Sequence, residues 1–314
     1  MRSKSPKSST GTPIGDSALK GILGAAAFFV IGLLAALAYE LYSGSLPTIN
    51  AFGLSFLTGT TWDPYHEIYG ALPFIYGTLL TSLIALLIGL PISLGVAIFL
   101  TERLKTRTSL GYVIGTLVEL LAAVPSVIFG LWGLYFLKPF MVTYIETPLH
   151  VNLGFIPLFA GTPFGLDFLT AGIILAIMII PTVSAITRDV LNAVPNSQRE
   201  AMYSLGATNW EMLRKAVLPY ARSGIFGATI LGLGRAVGET MAVTMVVGNA
   251  PNITADLFKP GYTLASLIAN QFFESANTSP FIEIGLVLFF LALAINIFAR
   301  LMLWRLTRGV RYRV

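Results

Sequence analysis

Long uninterrupted runs of apolar residues dominate the chain. Six of them are long enough to span a hydrocarbon core of about 30 Å, which takes about 20 helical residues. They lie at 20–42, 73–101, 112–137, 170–187, 223–249 and 281–304. Internal prolines such as Pro91, Pro125 and Pro181 are compatible with membrane helices, because neighbouring helices satisfy the freed backbone groups. The pattern predicts an all-α, polytopic membrane protein with about six transmembrane helices.

Composition excludes a water-soluble protein. Of the 314 residues, 55% are hydrophobic and 11% are charged, whereas soluble domains carry about 25% charged residues. The absence of cysteine excludes disulfides, thiolate metal sites and a cysteine nucleophile. The net charge of +5 does not indicate nucleic-acid binding, because the basic residues do not cluster on a soluble face.

Basic residues alternate between the predicted loops. Of 20 lysines and arginines, 17 lie at the two chain ends and in segments 102–111 and 188–222. Because basic residues are retained on the cytoplasmic side, both termini and these segments are expected to face the cytoplasm. Residues 1–18 are expected to form a disordered cytoplasmic tail, and 19–314 a transmembrane domain.

The sequence leaves two features open. The first apolar run could be a cleaved signal peptide, although it is longer than the usual core of about 7–15 residues, which favours an uncleaved helix. The predicted outer loops 43–72 and 138–169 carry aromatic residues, among them Trp62. These could anchor at lipid headgroups or contact an outside partner.

The cytoplasmic segment 195–219 carries two helix-start patterns. Ser197 with Glu200, and Thr208 with Glu211, have the spacing of capping boxes. Gly206 between them suits the left-handed residue that ends a helix. The pattern predicts short helices at about 198–205 and 209–218, hinged at Gly206. Caps alone favour a simple connector between membrane helices.

The same segment resembles the cytoplasmic signature of bacterial ABC importer permeases. Glu200-Ala201-Met202, Gly206 and Leu218-Pro219 match its spacing, although Met202 and Ala216 depart from the usual alanine and isoleucine. In that family the short helix inserts into a groove of a separate ATPase subunit. The resemblance therefore implies that Glu200, Ala201 and Gly206 couple this chain to an ATPase.

Three further segments resemble the permeases of the high-affinity phosphate importer, at 125–133, 234–244 and 264–270. The resemblance implies a type I ABC importer (MetI-like) permease fold in the bacterial cytoplasmic (inner) membrane. It also implies a phosphate-binding protein outside and a homologous second permease. A heterodimer is the expectation, and a homodimer remains open.

Arg235 and Glu239 lie inside the fifth predicted span. Four residues apart, they would share a helix face. A mid-membrane arginine costs roughly 2.5–3.5 kcal/mol and needs a partner or a polar cavity, so Glu239 is the expected partner. A guanidinium suits an oxyanion, which makes both residues candidates for the substrate pathway. A purely structural ion pair is the alternative. Glu119, in the third span, could pair with a basic loop residue.

Enzyme chemistry finds no support in the sequence. No phosphate-binding Gly-x-x-x-x-Gly-Lys-Ser/Thr run occurs, so ATP hydrolysis is expected on another subunit. No metal or cofactor is expected, because the two histidines lie in outer loops. The sequence thus predicts a channel-forming subunit of an ATP-driven importer of inorganic phosphate. Another oxyanion, an autonomous secondary transporter, an anion channel and, least favoured, a membrane enzyme remain alternatives.

Overall fold

The computed structural model describes residues 13–104 and 109–308. Its principal helices are α1 (Pro13–Phe52), α2 (Leu72–Arg103), α3 (Ser109–Ala122), α4 (Ser126–Leu153), α5 (Phe168–Asn192), α6 (Asn196–Ser204), α7 (Asn209–Gly238), α8 (Met241–Val246), α9 (Leu264–Gln271) and α10 (Ser279–Arg308). Single helical turns also occur at Ser55–Thr58 and Pro157–Phe159.

Six of these helices are long and apolar enough to cross a membrane: α1, α2, α4, α5, α7 and α10. This confirms the all-α architecture and the predicted number of spans. Most of the predicted tail lies outside the described residues, but from Pro13 onward the chain is already helical. That part of the tail prediction was wrong, because α1 begins well before the apolar run.

The third span differs from its prediction. The apolar run at 112–137 is broken between Ala122 and Ser126, so the helix that can span the membrane is α4, which continues to Leu153. Pro125 explains the break, since it has no N–H to donate and disfavours a helical residue before it. By contrast, Pro91 and Pro181 lie inside α2 and α5 without ending them.

Helix α5 is the centre of the molecule. Two thirds of the most apolar stretch of α5 is buried, whereas none of the corresponding stretch of α1 is buried. The side chains of α5 form the main core with α2, α4, α7 and α8, including Phe168, Ile174, Met178 and Ile179. Helix α1 instead packs along α10 at the edge, where its outward apolar side chains suit lipid.

A smaller core closes the predicted outer end. Trp62 contacts Phe74, Tyr69 and Phe281 with ring centroids 5.1, 5.1 and 5.4 Å apart. Its indole Nε1 donates a hydrogen bond to Gln271 at 3.1 Å. Trp62 is thus half-buried in this core, where it joins the segment before α2 to α9 and α10.

Candidate functional site

Arg235 lies in the last turn of α7, half-buried against α5. Its Nη1 donates a hydrogen bond to Thr182 Oγ1 of α5 at 3.2 Å. Among the described residues no carboxylate lies within ion-pair distance of this guanidinium. The side chain thus keeps donors available while one hydroxyl fixes its direction.

Glu239 does not pair with Arg235, so the predicted ion pair was wrong. Helix α7 ends at Gly238, and Glu239 has extended backbone angles (φ −70°, ψ 127°). The four-residue spacing therefore no longer places the two side chains on one helix face. Glu239 Oε1 instead accepts the backbone N–H of Ala242 at 3.3 Å and holds the start of α8.

The glycines of α7 separate a packed side from an open one. A Cβ on Gly232 would lie 2.5 Å from Val183 Cγ2, and one on Gly224 would lie 2.5 Å from Val190 Cγ1. These glycines allow α7 to approach α5 closely. Around Gly234 and Gly238, in contrast, a Cβ would meet no described atom within 4 Å.

A third side of α7 faces an apolar cleft. The cleft has a volume of about 600 Å³ and lies between α2, α7 and α10, with Phe226, Ile230 and Leu233 in its wall. Its lining offers almost no polar surface. An oxyanion would lose its hydration there without compensation, so this cleft is unsuited to a phosphate pathway.

The predicted coupling segment forms α6 and the start of α7. Gly206 takes a left-handed conformation (φ +76°) and closes α6 as predicted. The second capping box is also confirmed: Thr208 Oγ1 accepts the Glu211 N–H at 3.3 Å, and the Glu211 carboxylate accepts the Thr208 N–H at 3.0 Å.

Two details of that segment differ from the prediction. Helix α6 begins at Asn196 after Pro195, with no side-chain cap, so Ser197 is already helical and cannot cap. Proline suits a helix entrance because its φ is already helical. The second helix is not separate either, since α7 runs continuously from Asn209 into the membrane span.

One face of the coupling segment is exposed to solvent. Glu200 and Ala201 are both exposed, as are the large side chains of Tyr203, Leu205 and Trp210, with Leu205 83% exposed. An exposed leucine beside two aromatics is typical of a protein-contact surface. We call Glu200, Ala201, Tyr203, Leu205 and Trp210 the coupling surface.

The structure also assigns Glu119, which the sequence left open. Arg188 Nη2 of α5 donates to Glu119 Oε1 of α3 at 2.6 Å. The Arg188 side chain is only 15% exposed, so the ion pair fixes α3 against the C-terminal end of α5. It is a structural contact, away from Arg235.

The structure contains a buried pair of acidic residues that the sequence did not predict. Glu146 of α4 and Asp167 before α5 are both fully buried. Glu146 Oε2 accepts the N–H groups of Phe164 and Gly165, each at 3.0 Å, and Asp167 Oδ1 accepts that of Thr170 at 2.8 Å. Only Asp167 carried a signal, as an N-cap residue three positions before Thr170.

The chain is similar to known transport proteins over most of its length. Residues 89–311 match the family model "Binding-protein-dependent transport system inner membrane component". The phosphate transport system permease protein PstC of Mesorhizobium japonicum is 47% identical over 90% of this chain and 88% of its own. The PstC protein of Xylella fastidiosa (strain Temecula1) is 46% identical, over 93% and 92%.

Solved structures share the fold at lower identity. A chain of a bacterial alginate ABC transporter, solved with an alginate-bound periplasmic protein, superposes with a TM-score of 0.61 and 18% identity. The alignment covers 95% of this chain and 99% of that one. A chain of the inward-facing MetNI methionine ABC transporter gives a TM-score of 0.53 and 19% identity, over 76% and 94%.

Proposed function

The chain belongs to the family of binding-protein-dependent transport system inner membrane components, and from that premise we propose that it forms the phosphate passage of an ATP-driven importer. It is a multi-pass membrane permease with a type I ABC importer fold. The 45–47% identity to phosphate permeases over about nine tenths of the chain supports phosphate as the substrate.

The observation that carries the proposal is how the Arg235 guanidinium is bonded and what surrounds it. Its guanidinium is held by Thr182, has no acidic partner within the described residues, and lies beside the open side of α7 at Gly234 and Gly238. A directed arginine with spare donors matches the paired oxygens of phosphate. An arginine with a purely structural role inside a membrane span would instead be expected to pair with an acidic side chain.

The open side of α7 also suggests where the passage lies. A second permease packed against Gly227, Gly234 and Gly238 would meet no bulky side chain, because a Cβ at each would have no neighbour within 4 Å. We place the phosphate path between the two permeases, with Arg235 in its wall. Glu239 borders the same path at the break between α7 and α8.

The coupling surface supports an ATPase partner. Hydrolysis on a separate cytoplasmic subunit would move α6, which is followed directly by α7 and therefore by Arg235. A phosphate-binding protein is expected at the opposite end, where α4 and α5 are joined and α10 begins. Both termini are expected in the cytoplasm, as the basic residues require.

Phosphate uptake by the assembled importer tests this function. We expect Arg235→Gln to lower uptake at least about tenfold, because charge-assisted bonds to the anion are lost, while Arg235→Lys keeps part of it. Arg300→Gln, an exposed arginine of α10 outside the coupling segment, is the matched control. Competition by sulfate or molybdate reports the choice among oxyanions.

Two results would contradict the proposal. Normal uptake by the Arg235→Gln importer would return Arg235 to a structural role. A wild-type importer that transports sulfate or molybdate in preference to phosphate would remove phosphate as the substrate.

A further inference from the structure

Among the described residues, one charged side chain, Arg199, attaches helix α6 to the membrane helices. Its Nη1 donates to the Val194 carbonyl at 2.7 Å, and its Nη2 donates to the Leu191 carbonyl at 3.0 Å. The same Nη2 donates to Glu102 Oε1 at 2.9 Å. One guanidinium thus joins α6, the end of α5 and the end of α2.

We propose that Arg199 is a positioning residue that transmits movement of α6 to α2 and α5 together. The inference rests on the proposed function, since it concerns how ATPase-driven motion reaches the membrane. Its consequence is that the three helix ends move as one body.

The chemistry of the contact suits a rigid connection. Leu191 and Val194 lie where α5 ends, so their carbonyls lack the donors that a continuing helix would supply. The Leu191 carbonyl accepts the Val194 N–H at 3.3 Å, and Arg199 adds a charged donor to each carbonyl. An arginine can fill both and still bind a carboxylate, because its planar fork carries five donors in fixed directions. A lysine has one nitrogen and cannot span these acceptors in the same way.

Burial makes this contact stronger than a surface ion pair. The side chains of Arg199 and Glu102 are each 17% exposed, so water competes weakly for them. The pair lies beside an apolar cluster that includes Ala97, Leu191, Val194 and Met212. Exposed ion pairs contribute little to rigidity, whereas a partly buried pair with further hydrogen bonds to backbone contributes more.

Helix α6 has two opposite faces. Arg199 and Met202, three residues apart, point toward the protein, and Met202 packs on the same apolar cluster. Glu200, Ala201 and Leu205 are exposed on the coupling surface. Force applied to the exposed face therefore reaches the membrane helices through Arg199 and Met202.

The alternative is that Arg199 only stabilises the loop. A stabilising residue would affect how much importer assembles, whereas a transmitting residue would affect how much phosphate moves for each ATP hydrolysed. The test therefore measures both quantities in the complete importer reconstituted in vesicles, with phosphate-loaded binding protein added outside.

The variants are chosen to separate charge, geometry and pairing. Arg199→Gln removes the charge, Arg199→Lys keeps the charge without the fork, and Glu102→Gln removes the α2 partner alone. The exchange Arg199→Glu with Glu102→Arg restores a pair in reverse. Arg300→Gln, an exposed arginine of α10 outside the coupling segment, is the control.

We expect Arg199→Gln to assemble and hydrolyse ATP but to move about tenfold less phosphate per ATP, given the charge-assisted bonds lost. Glu102→Gln should give a smaller loss, Arg199→Lys an intermediate one, and the exchange a partial recovery. Arg300→Gln should match wild type.

An unchanged phosphate-to-ATP ratio in both Arg199→Gln and Glu102→Gln would overturn the inference. Reduced assembly with a normal ratio in the importer that remains would overturn it equally, since Arg199 would then only support folding. A wild-type importer that moves no phosphate would instead refute the proposed function.

Discussion

Asp167 is buried beside another acid, and its protonation is therefore linked to folding. Its Oδ2 has no hydrogen-bond partner among the described residues. Burial, followed by the charge of Glu146, raises the pKa of Asp167 from 3.8 to about 8. The folded protein thus holds a proton at neutral pH that the unfolded chain releases.

The sign of the pH effect follows from linkage. The contribution of Asp167 is complete below pH 3.8 and is lost as pH rises toward about 8. We expect the thermal midpoint of the solubilised chain to fall between pH 6 and pH 9. In Asp167→Asn, which keeps the N-cap acceptor without titrating, the fall should be smaller by roughly 3–6 °C.

Differential scanning fluorimetry across that range measures this effect. Asp189→Asn is the control, because its side chain is 71% exposed and should leave the pH dependence unchanged. Equal pH dependence in wild type and Asp167→Asn would show that another group titrates.

Thr182 directs the only functional arginine proposed for the passage. Its Oγ1 accepts from Arg235 at 3.2 Å, so Thr182→Val removes an acceptor at almost constant volume. We expect phosphate uptake by Thr182→Val to fall several-fold, because the free energy of one charge-assisted hydrogen bond corresponds to a change of about this size. Thr182→Ser should keep near-normal uptake. Uptake by reconstituted importer, normalised to protein, measures this, and equal rates for both variants would argue against an orienting role.

At the scale of elements, the turn after α6 depends on one backbone conformation. Gly206 has φ +76°, yet a Cβ there would meet no atom within 4 Å. A side chain is therefore disfavoured by backbone conformation alone, by about 1–2 kcal/mol. We expect Gly206→Val to reorient α6 and reduce co-purified ATPase, whereas Gly206→Asn, which tolerates this conformation, should retain it.

Quantitative pull-down of the ATPase by the tagged chain measures this difference. Gly95→Val is a control for adding the same side chain to open space, since Gly95 is helical and also lacks neighbours within 4 Å. Equal ATPase recovery for Gly206→Val and wild type would show that the turn is not needed for docking.

The sequence predicted elements better than their ends. The lengths of the apolar runs identified six spans, because a helix needs about 20 apolar residues to cross the hydrocarbon core. The capping box at Thr208 and the helix end at Gly206 were also predicted, because each depends only on neighbouring residues. The break at Pro125 was missed because prolines at 91 and 181 leave their helices intact. The local sequence pattern does not distinguish the proline that ends a helix from the two that lie within one.

The pairing of charges was the least predictable property. Arg235 bonds Thr182, 53 positions away, and Arg199 bonds Glu102, 97 positions away. Spacing along one helix suggested Glu239 instead, and that failed once α7 ended at Gly238. Long-range partners depend on how α2, α5 and α7 pack, so only the folded molecule identifies them.

For the whole molecule, the arrangement across the membrane is the remaining prediction. Successive spans reverse direction, so α6 and the turn at Phe155 should lie on opposite sides. The basic residues place α6 in the cytoplasm, where the ATPase partner would be. If α6 faced outward, both the coupling surface and the role of Arg199 would lose their basis.

Labelling of introduced cysteines decides the orientation, and the chain contains no natural cysteine to interfere. Phe155 is 81% exposed, and Ala201 is exposed on α6. In cells that express this chain without the ATPase, which would otherwise cover Ala201, we expect a membrane-impermeant maleimide to label Phe155→Cys but not Ala201→Cys while the cells are intact. Both should be labelled after permeabilisation. Labelling of Ala201→Cys in intact cells would place α6 outside. Because the ATPase must reach α6 from the cytoplasm, that outcome would exclude this chain as the coupled permease, however closely its sequence resembles phosphate permeases.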